Sequence, residues 1–377
     1  MRYSYSRTEA WLILLRTPHL GSVRIRALLE RYGSIQTCID ALRAQPPPGL
    51  PHPALAWLRC PDQRLIDSDL AWIEQDNHRL LSYDEEDFPP QLNVCAGSPP
   101  ALFVVGDTTR LLYPQVAIVG ARAASPEGLA NAHNFASALA AAGFVVSSGL
   151  ATGIDAAAHT AALAYKTGTI AVMGTGPDRI YPRHHCKLAA RIAETGSLVT
   201  AFPPGTPARA THFPQRNRVL AGLALGTLVI EAGDRSGALI SARASGDFGR
   251  EVFALPGSIH HPLARGCHRL IRSGAQLVEE PGEVVQGLSV AARFLGIHLS
   301  EQLQTLCKSS VSQRQVPPDN PDNLPLLEAL GPTPLALDVL SQRCGLSISS
   351  LSSRLVLLEL DGRVARLTGG LWQRLPG

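Results

Sequence analysis

Lysine is nearly missing from this 377-residue chain, occurring only at positions 166, 187 and 308 among 34 basic residues. Almost all positive charge therefore sits on planar guanidinium groups, which fork onto phosphate or carboxylate oxygens. An excess of either sign is also lacking: the net charge is +3, too small to announce a partner by itself. The seven cysteines are scattered, odd in number and contain no Cys-x-x-Cys, which excludes a disulfide framework and suits reduced thiols. The HHC at 184–186 and the CH at 267–268 lack zinc-ligand spacing, so no metal site is expected, and no cofactor either. The longest apolar run near the start, 10–15, is far below the ~18 residues of a spanning helix, and no signal-peptide cleavage pattern follows it. A cytoplasmic chain with no membrane partner is expected. Neither a GxGxxG nor a Walker sequence is present, so dinucleotide binding and phosphoryl transfer lose their usual support.

What is present is ample apolar content, 45%, enough for at least one large core in a chain of this length. Residues 1–85 carry helical apolar spacing (AWLILL, IRALLERYG) broken by RTPHLGS and QPPPGLPHP, predicting a small helical domain. Within it, PHLGSVRIRALLERYGS resembles half of a helix-hairpin-helix element but lacks the second glycine, so a helix-packing module is preferred. From 86 to 297 short β-branched runs (ALFVVG, QVAIVG, FVVSSG, TIAVMG, LVTAF, TLVIEA, EVFALPG, AQLV) alternate with helical stretches. That alternation predicts an α/β domain with a doubly wound, mainly parallel sheet, whose ligands bind at the carboxyl ends of the strands. Residues 298–323 are polar with three prolines and read as a linker; 324–377 give three helical patterns and a hairpin at Gly369 and Gly370, the outline of a winged helix.

Four stretches carry candidate chemistry. In VAIVGARAASPEG, Gly120 closes a strand, and Ser125 and Pro126 begin a helix whose free N–H groups and dipole suit an anion within reach of Arg122. In SSGLATGIDAAAH, Ser148, Gly149 and Gly153 form another strand-to-helix turn. There Asp155 and His159, at i and i+4, form either an acid–base pair or, as preferred, a dipole-favouring Asp with a hydrogen-bonded His. In ARATHFPQRNRVLAG, Arg209, Phe213 and Arg216 bring cations and a ring to one helix entrance with Pro214 at its first position. On a helical wheel Arg216 shares the face of Val219, Leu220 and Leu223, whereas Arg218 points away. A buried arginine is either paired with a carboxylate or ready for an anion. In EAGDRSGALISA, Ser236 or Gly237 starts a helix, and Glu231 is either beside a phosphate-facing turn or the ion partner of Arg216. The segment 205–272 holds nine arginines against four acids, 9 − 4 = +5, which fits either an anionic ligand or a general arginine bias of the genome.

Taken in order, VAIVGAR, SSGLATGIDAAAH, GTIAVMGTGPDRIYP, FPQRNRVLAG, EAGDRSGALISARAS and GREVFALPG resemble the DprA/Smf family of DNA-processing proteins. The resemblance implies an extended Rossmann-like domain, a small helical (SAM- or helix-hairpin-helix-like) domain before it and a winged-helix domain after it. It also implies single-stranded DNA binding without hydrolysis, protection of incoming DNA, help in loading RecA during natural transformation, and a homodimer through the Rossmann-like domain. By motif position, Arg122, Arg216, Asn217 and Arg218 fall on the family's arginine turn and RNR element, with Phe213 the aromatic before it and Arg209 the nearest upstream base. Thr200 and Ala201 stand where the family usually has Ser-Glu. The alternative reading is a nucleoside-monophosphate phosphoribohydrolase of the lysine-decarboxylase-like fold with Asp155 or Glu231 as acid or base. Its PGGxGT loop is absent, PPGTPA at 203–208 being the nearest approach.

Overall fold

A computed structural model describes residues 5–313 and, beyond them, 326, 329, 330, 335–347, 350–352, 354, 355, 358, 364–366 and 371–374, with 301–313 as backbone. It divides into two compact units, Met1–Ser300 and Glu301–Gly377.

The first unit begins with five helices, α1 (Arg7–Arg16), α2 (Ser22–Tyr32), α3 (Ile35–Ala44), α4 (His52–Arg59) and α5 (Gln63–Ile73). Ser6 caps α1 in a reciprocal pair with Glu9, and Ser34 caps α3. Their apolar faces close a core around Trp11, Ile13, Leu29, Ile39 and Trp72. The buried Asp69 on α5 accepts from Arg16 at 2.6 Å, and Arg16 also donates to the carbonyl of Pro204 at 2.8 Å. This charge is thus paired, and the helices are fastened to the rest of the unit.

Then follow β1 (His78–Ser82), α6 (Pro90–Asn93), β2 (Ala101–Gly106), β3 (Gln115–Gly120), α7 (Pro126–Ala141), β4 (Val145–Ser148), α8 (Ile154–Ala162) and β5 (Thr169–Val172). After them come α9 (Cys186–Thr195), β6 (Ser197–Thr200), α10 (His212–Leu223), β7 (Gly226–Ile230), α11 (Ala238–Asp247), β8 (Glu251–Ala254), α12 (Arg265–Arg272), β9 (Gln276–Leu277) and α13 (Pro281–Gln313). The nine strands form one sheet in the order β1-β2-β6-β5-β4-β3-β7-β8-β9. It is parallel from β6 to β9 and antiparallel at β1–β2 and β2–β6. Strand β3 shows why both faces are covered: Val116 and Ile118 pack under α7 and α8, while Ala117 and Val119 belong to the core that holds Val219, Leu220 and Leu223 of α10. The expected mainly parallel, doubly wound sheet is present.

Three details differ from the sequence reading. β1 went unpredicted because HRLLS has little strand signature of its own; pairing with β2, Leu80 opposite Phe103, makes it a strand. Helix α10 starts at His212 rather than Pro214, since a proline anywhere in the first turn removes only an N–H without an intrahelical acceptor. Of the linker expected at 298–323, residues 298–313 form the end of α13, where Leu299, Leu303 and Leu306 recur at helical spacing; 314–323 lie outside the described residues.

In the second unit, β10 (Leu335–Ala336), β11 (Val364–Arg366) and β12 (Leu371–Arg374) make a sheet in the order β10-β12-β11. They flank a core of Leu326, Leu330, Leu340, Leu351, Leu355 and Trp372. The antiparallel pairing of β11 with β12 matches the expected hairpin, although Gly369 and Gly370 themselves lie outside the described residues. Among the described residues no helix is long and apolar enough to cross a membrane.

Candidate functional site

Strand β3 lies between β4 and β7, whose following helices pack on opposite faces of the sheet, so the loops after these strands diverge and leave a crevice. A cavity of about 250 Å³ occupies it, and its walls include Gly120, Arg122, Gly149, Phe213, Arg216, Asn217, Ser236 and Gly237. An adjoining space of about 150 Å³ is lined by Arg122, Thr152, Tyr181, Pro182 and Phe213. Residues from four separate motifs are thus brought together at the strand ends.

Arg216 is 6% exposed, as its place on the apolar face of α10 predicts. Its Nη1 donates to the carbonyls of Gly149 and, at 2.7 Å, Val172, the ends of β4 and β5; its Nε donates to Asn217 Oδ1 at 2.9 Å. A side chain on Gly149 would collide with the guanidinium, so the glycine is there for close approach. Burial pushes the Arg216 guanidinium below its ordinary value, Asp155 opposes this, and Arg122 adds to it. Asp155, equally buried, accepts from the N–H groups of Gly149 (3.1 Å) and Ala151 (3.3 Å). Burial raises its carboxyl value, and Arg216 is the foremost opposing influence. The choice left open in the sequence is thereby decided: the neighbouring carboxylate is Asp155, and Glu231 is elsewhere.

Glu231 sits beyond β7 with φ 53° and turns its carboxylate onto the start of α7. It accepts from the Ser125 N–H at 2.8 Å and from the Ser125 hydroxyl, which itself accepts from Gly128 N. The anion site expected at this helix start is therefore filled by the protein's own carboxylate. A side chain on Gly128 would strike that carboxylate, and one on Gly120 would strike Ile154, so both turns are closed by packing. Glu231→Ala is expected to lower the unfolding free energy by about 1–2 kcal/mol through the lost cap, measured by urea denaturation; an unchanged midpoint would refute this account of the turn.

His159, fully buried, forms no pair with Asp155. Its Nδ1 is 2.7 Å from Thr169 Oγ1, whose hydroxyl donates to Val146 O at 2.6 Å. The threonine proton being used, Nδ1 must donate, which leaves Nε2 bare; among the described residues it has no partner. The histidine is thus hydrogen-bonded, as in the preferred reading, with Thr169 as its partner.

Arg122, by contrast, is exposed and makes no hydrogen bond or ion pair among the described residues. Its guanidinium lies 5.9 Å from the centre of the Phe213 ring, and that of Arg216 lies 5.7 Å from it. Phe213 is half-buried, packed near Gly174 and 5.7 Å from the ring of Tyr181, which is 49% exposed. Tyr181 is not among the residues singled out by sequence; its aromatic type within the motif GTIAVMGTGPDRIYP is the signal that points to it. Four expected site residues stand apart. Ser148 is buried and donates to Ile118 O at 2.6 Å, tying β4 to β3. Gly153, φ 77°, packs against the backbone of Ala121 and Arg122, helping to shape their turn. Arg209 is exposed on the loop before α10, outside the cavity. Arg218 faces away, as its wheel position predicts, donating to Ala96 O at 3.1 Å and lying 4.7 Å over Phe248, with Asp247 3.8 Å away.

Residues 79–289, which hold this sheet and crevice, match the family model for DNA recombination-mediator protein A. The chain belongs to the DprA/Smf family. Residues 311–370 match the DprA winged helix domain, so a winged helix follows the sheet. Among the relatives is Protein Smf of Escherichia coli, 40% identical over 96% of this chain and 95% of its own length. Another is the DNA processing protein DprA of Streptococcus pneumoniae, 39% identical over 59% of this chain and 79% of its own. The X-ray structure of DprA from Streptococcus pneumoniae superposes with a TM-score of 0.66 at 33% identity, covering 75% of this chain and 98% of that one. DprA from Helicobacter pylori, whose structure is described in terms of a unique single-stranded DNA binding mode, superposes at 0.52 with 28% identity over 57% of this chain and 96% of that one. This DprA/Smf chain thus carries its family's sheet together with an open, cationic crevice at the switch point.

Proposed function

We infer that this DprA/Smf chain binds single-stranded DNA in the crevice at the ends of β3, β4 and β7. The observation that carries the reading is Arg122: an exposed cation with no counter-ion among the described residues, sharing one aromatic ring with a second, buried arginine. A backbone phosphate supplies the missing anion, and Tyr181 and Phe213 offer rings to an unstacked base, each stacked base contributing about 1–3 kcal/mol. The Helicobacter pylori relative's single-stranded DNA binding supports the same assignment. A binding role rather than hydrolysis is the preferred reading, supported by the engagement of Glu231 at the start of α7 and of Asp155 with loop N–H groups. The family resemblance supports the further steps, namely protection of incoming DNA, delivery to RecA in the cytoplasm, and pairing of two chains through the Rossmann-like domain.

Arg122→Ala is expected to weaken binding of an oligothymidylate roughly tenfold at low salt and to make the log–log salt slope shallower by about 0.7, the share of one phosphate contact on a single strand. Fluorescence anisotropy across a salt series measures both. Unchanged affinity and slope in the folded variant would overturn the assignment, and release of free base from nucleoside monophosphates would overturn its non-enzymatic part.

A further inference from the structure

A second cavity, of about 670 Å³, opens on the other side of α10. Its walls include Ser22 and Arg24 of α2, Ser98, Phe202, and Arg216 and Arg218 of α10. Arg216 lines both cavities, so they flank the same first turns of α10. Three features give the second one an anion-binding character. It is lined by three arginines and, among the described residues, by no carboxylate. Arg24 is exposed and without a hydrogen bond or ion pair among the described residues. The 11-residue helix α2 has Gly21 as its N-cap and so no side-chain cap, leaving its first N–H groups and positive dipole end beside the cavity.

Ser98 is an independent pointer to a ligand. It lies in the wall, is 3% exposed, and its Oγ has no hydrogen-bond partner among the described residues. A buried hydroxyl without a partner costs free energy that an incoming acceptor oxygen would offset. The walls are also held in place. Arg26 bonds Asn93 Oδ1 at 2.8 Å and Pro99 O at 3.2 Å, Arg218 bonds Ala96 O, and Arg16 ties α1 to Pro204. The PHLGSVRIR stretch, whose turn resembles half of a helix-hairpin-helix, thus acquires a role that the switch-point site does not use.

We propose that this cavity is a second phosphate site, which takes a backbone phosphate of the same single strand that fills the Arg122 site. The proposal rests on the single-stranded DNA reading above. A strand reaching from one site to the other crosses the first turns of α10, so only oligomers above a threshold length engage both.

The test measures binding of oligothymidylates of increasing length by the full chain, its Arg24→Ala and Ser98→Ala variants, and Arg122→Ala. The expected result is that Arg24→Ala leaves the shortest binding oligomers unaffected, weakens longer ones roughly tenfold and makes their salt slope shallower by about 0.7, with Ser98→Ala acting in the same direction on long oligomers only. Arg122→Ala weakens every length. Loss of affinity in Arg122→Ala but none in Arg24→Ala at any length overturns the second site and leaves the first reading standing. No loss in either variant overturns both. A rise in Tm with inorganic phosphate that Arg24→Ala abolishes, without any length effect on DNA, overturns the strand assignment in favour of a free phosphate.

Discussion

Arg216→Ala is expected to lower the unfolding free energy by roughly 2–6 kcal/mol, since each buried acceptor left without its donor costs about 1–3 kcal/mol. Three groups lose their partner together. The carbonyls of Gly149 and Val172 are left at the ends of β4 and β5, and the buried Asp155 carboxyl loses the cation that opposes its desolvation. Urea denaturation with an unchanged m-value measures the loss. A double-mutant cycle with Asp155→Asn should show coupling, because each residue stabilises the other's charged form. A stability change below about 0.5 kcal/mol, typical of an uninvolved surface position, would contradict this account. Lost DNA binding in Arg216→Ala therefore reports largely on the fold, and Arg122→Ala is the cleaner probe of the interface.

The second large effect is a pH dependence centred on His159. Burial is the main cause that brings this imidazole from 6.5 to about 3, with His185 and Arg216 adding to it. Below pH 6.5 the unfolded chain takes up a proton that the folded chain refuses, so stability falls with acidification between pH 6.5 and 3 and is unaffected by this group above that window. The full loss is roughly 4–5 kcal/mol at about 1.4 kcal/mol per pH unit. Asp155 acts in the opposite sense, since a raised carboxyl value makes protonation favour the folded state. The difference between the wild type and His159→Asn isolates the histidine, because asparagine can keep a donor toward Thr169 without titrating. Unfolding midpoints across that window should converge as pH falls, with the wild type losing more. Parallel curves would show that His159 stays out of the acid response.

The first of these effects was half visible in sequence. Wheel position on α10 was enough to send Arg216 inward and Arg218 outward, since side-chain direction on a helix is a local, periodic property. Which carboxylate lies near Arg216 was not legible, because Glu231 and Asp155 belong to segments that follow different strands, the first in the loop after β7 and the second in the first turn of α8. Their distances to α10 depend on the sheet order, which no local pattern encodes. Likewise the start of α7 has every sequence mark of an anion site, and only the path of the chain beyond β7 places Glu231 there instead.

From sequence alone followed the α/β class, eight of the nine strands of the main sheet, the switch-point crevice, the family and the arginine-rich character of the site, because periodicity and motif order are carried by neighbouring residues. Tertiary structure decided which cations are free. Arg216 is bound by the strand-end carbonyls and Asn217 in the field of Asp155, Arg218 by Ala96 and Phe248, while Arg122 and Arg24 are left without a hydrogen bond or ion pair among the described residues. The reason is physical: a charge is satisfied by whatever lies within a few ångströms, and in a doubly wound sheet those neighbours come from segments far apart in the chain.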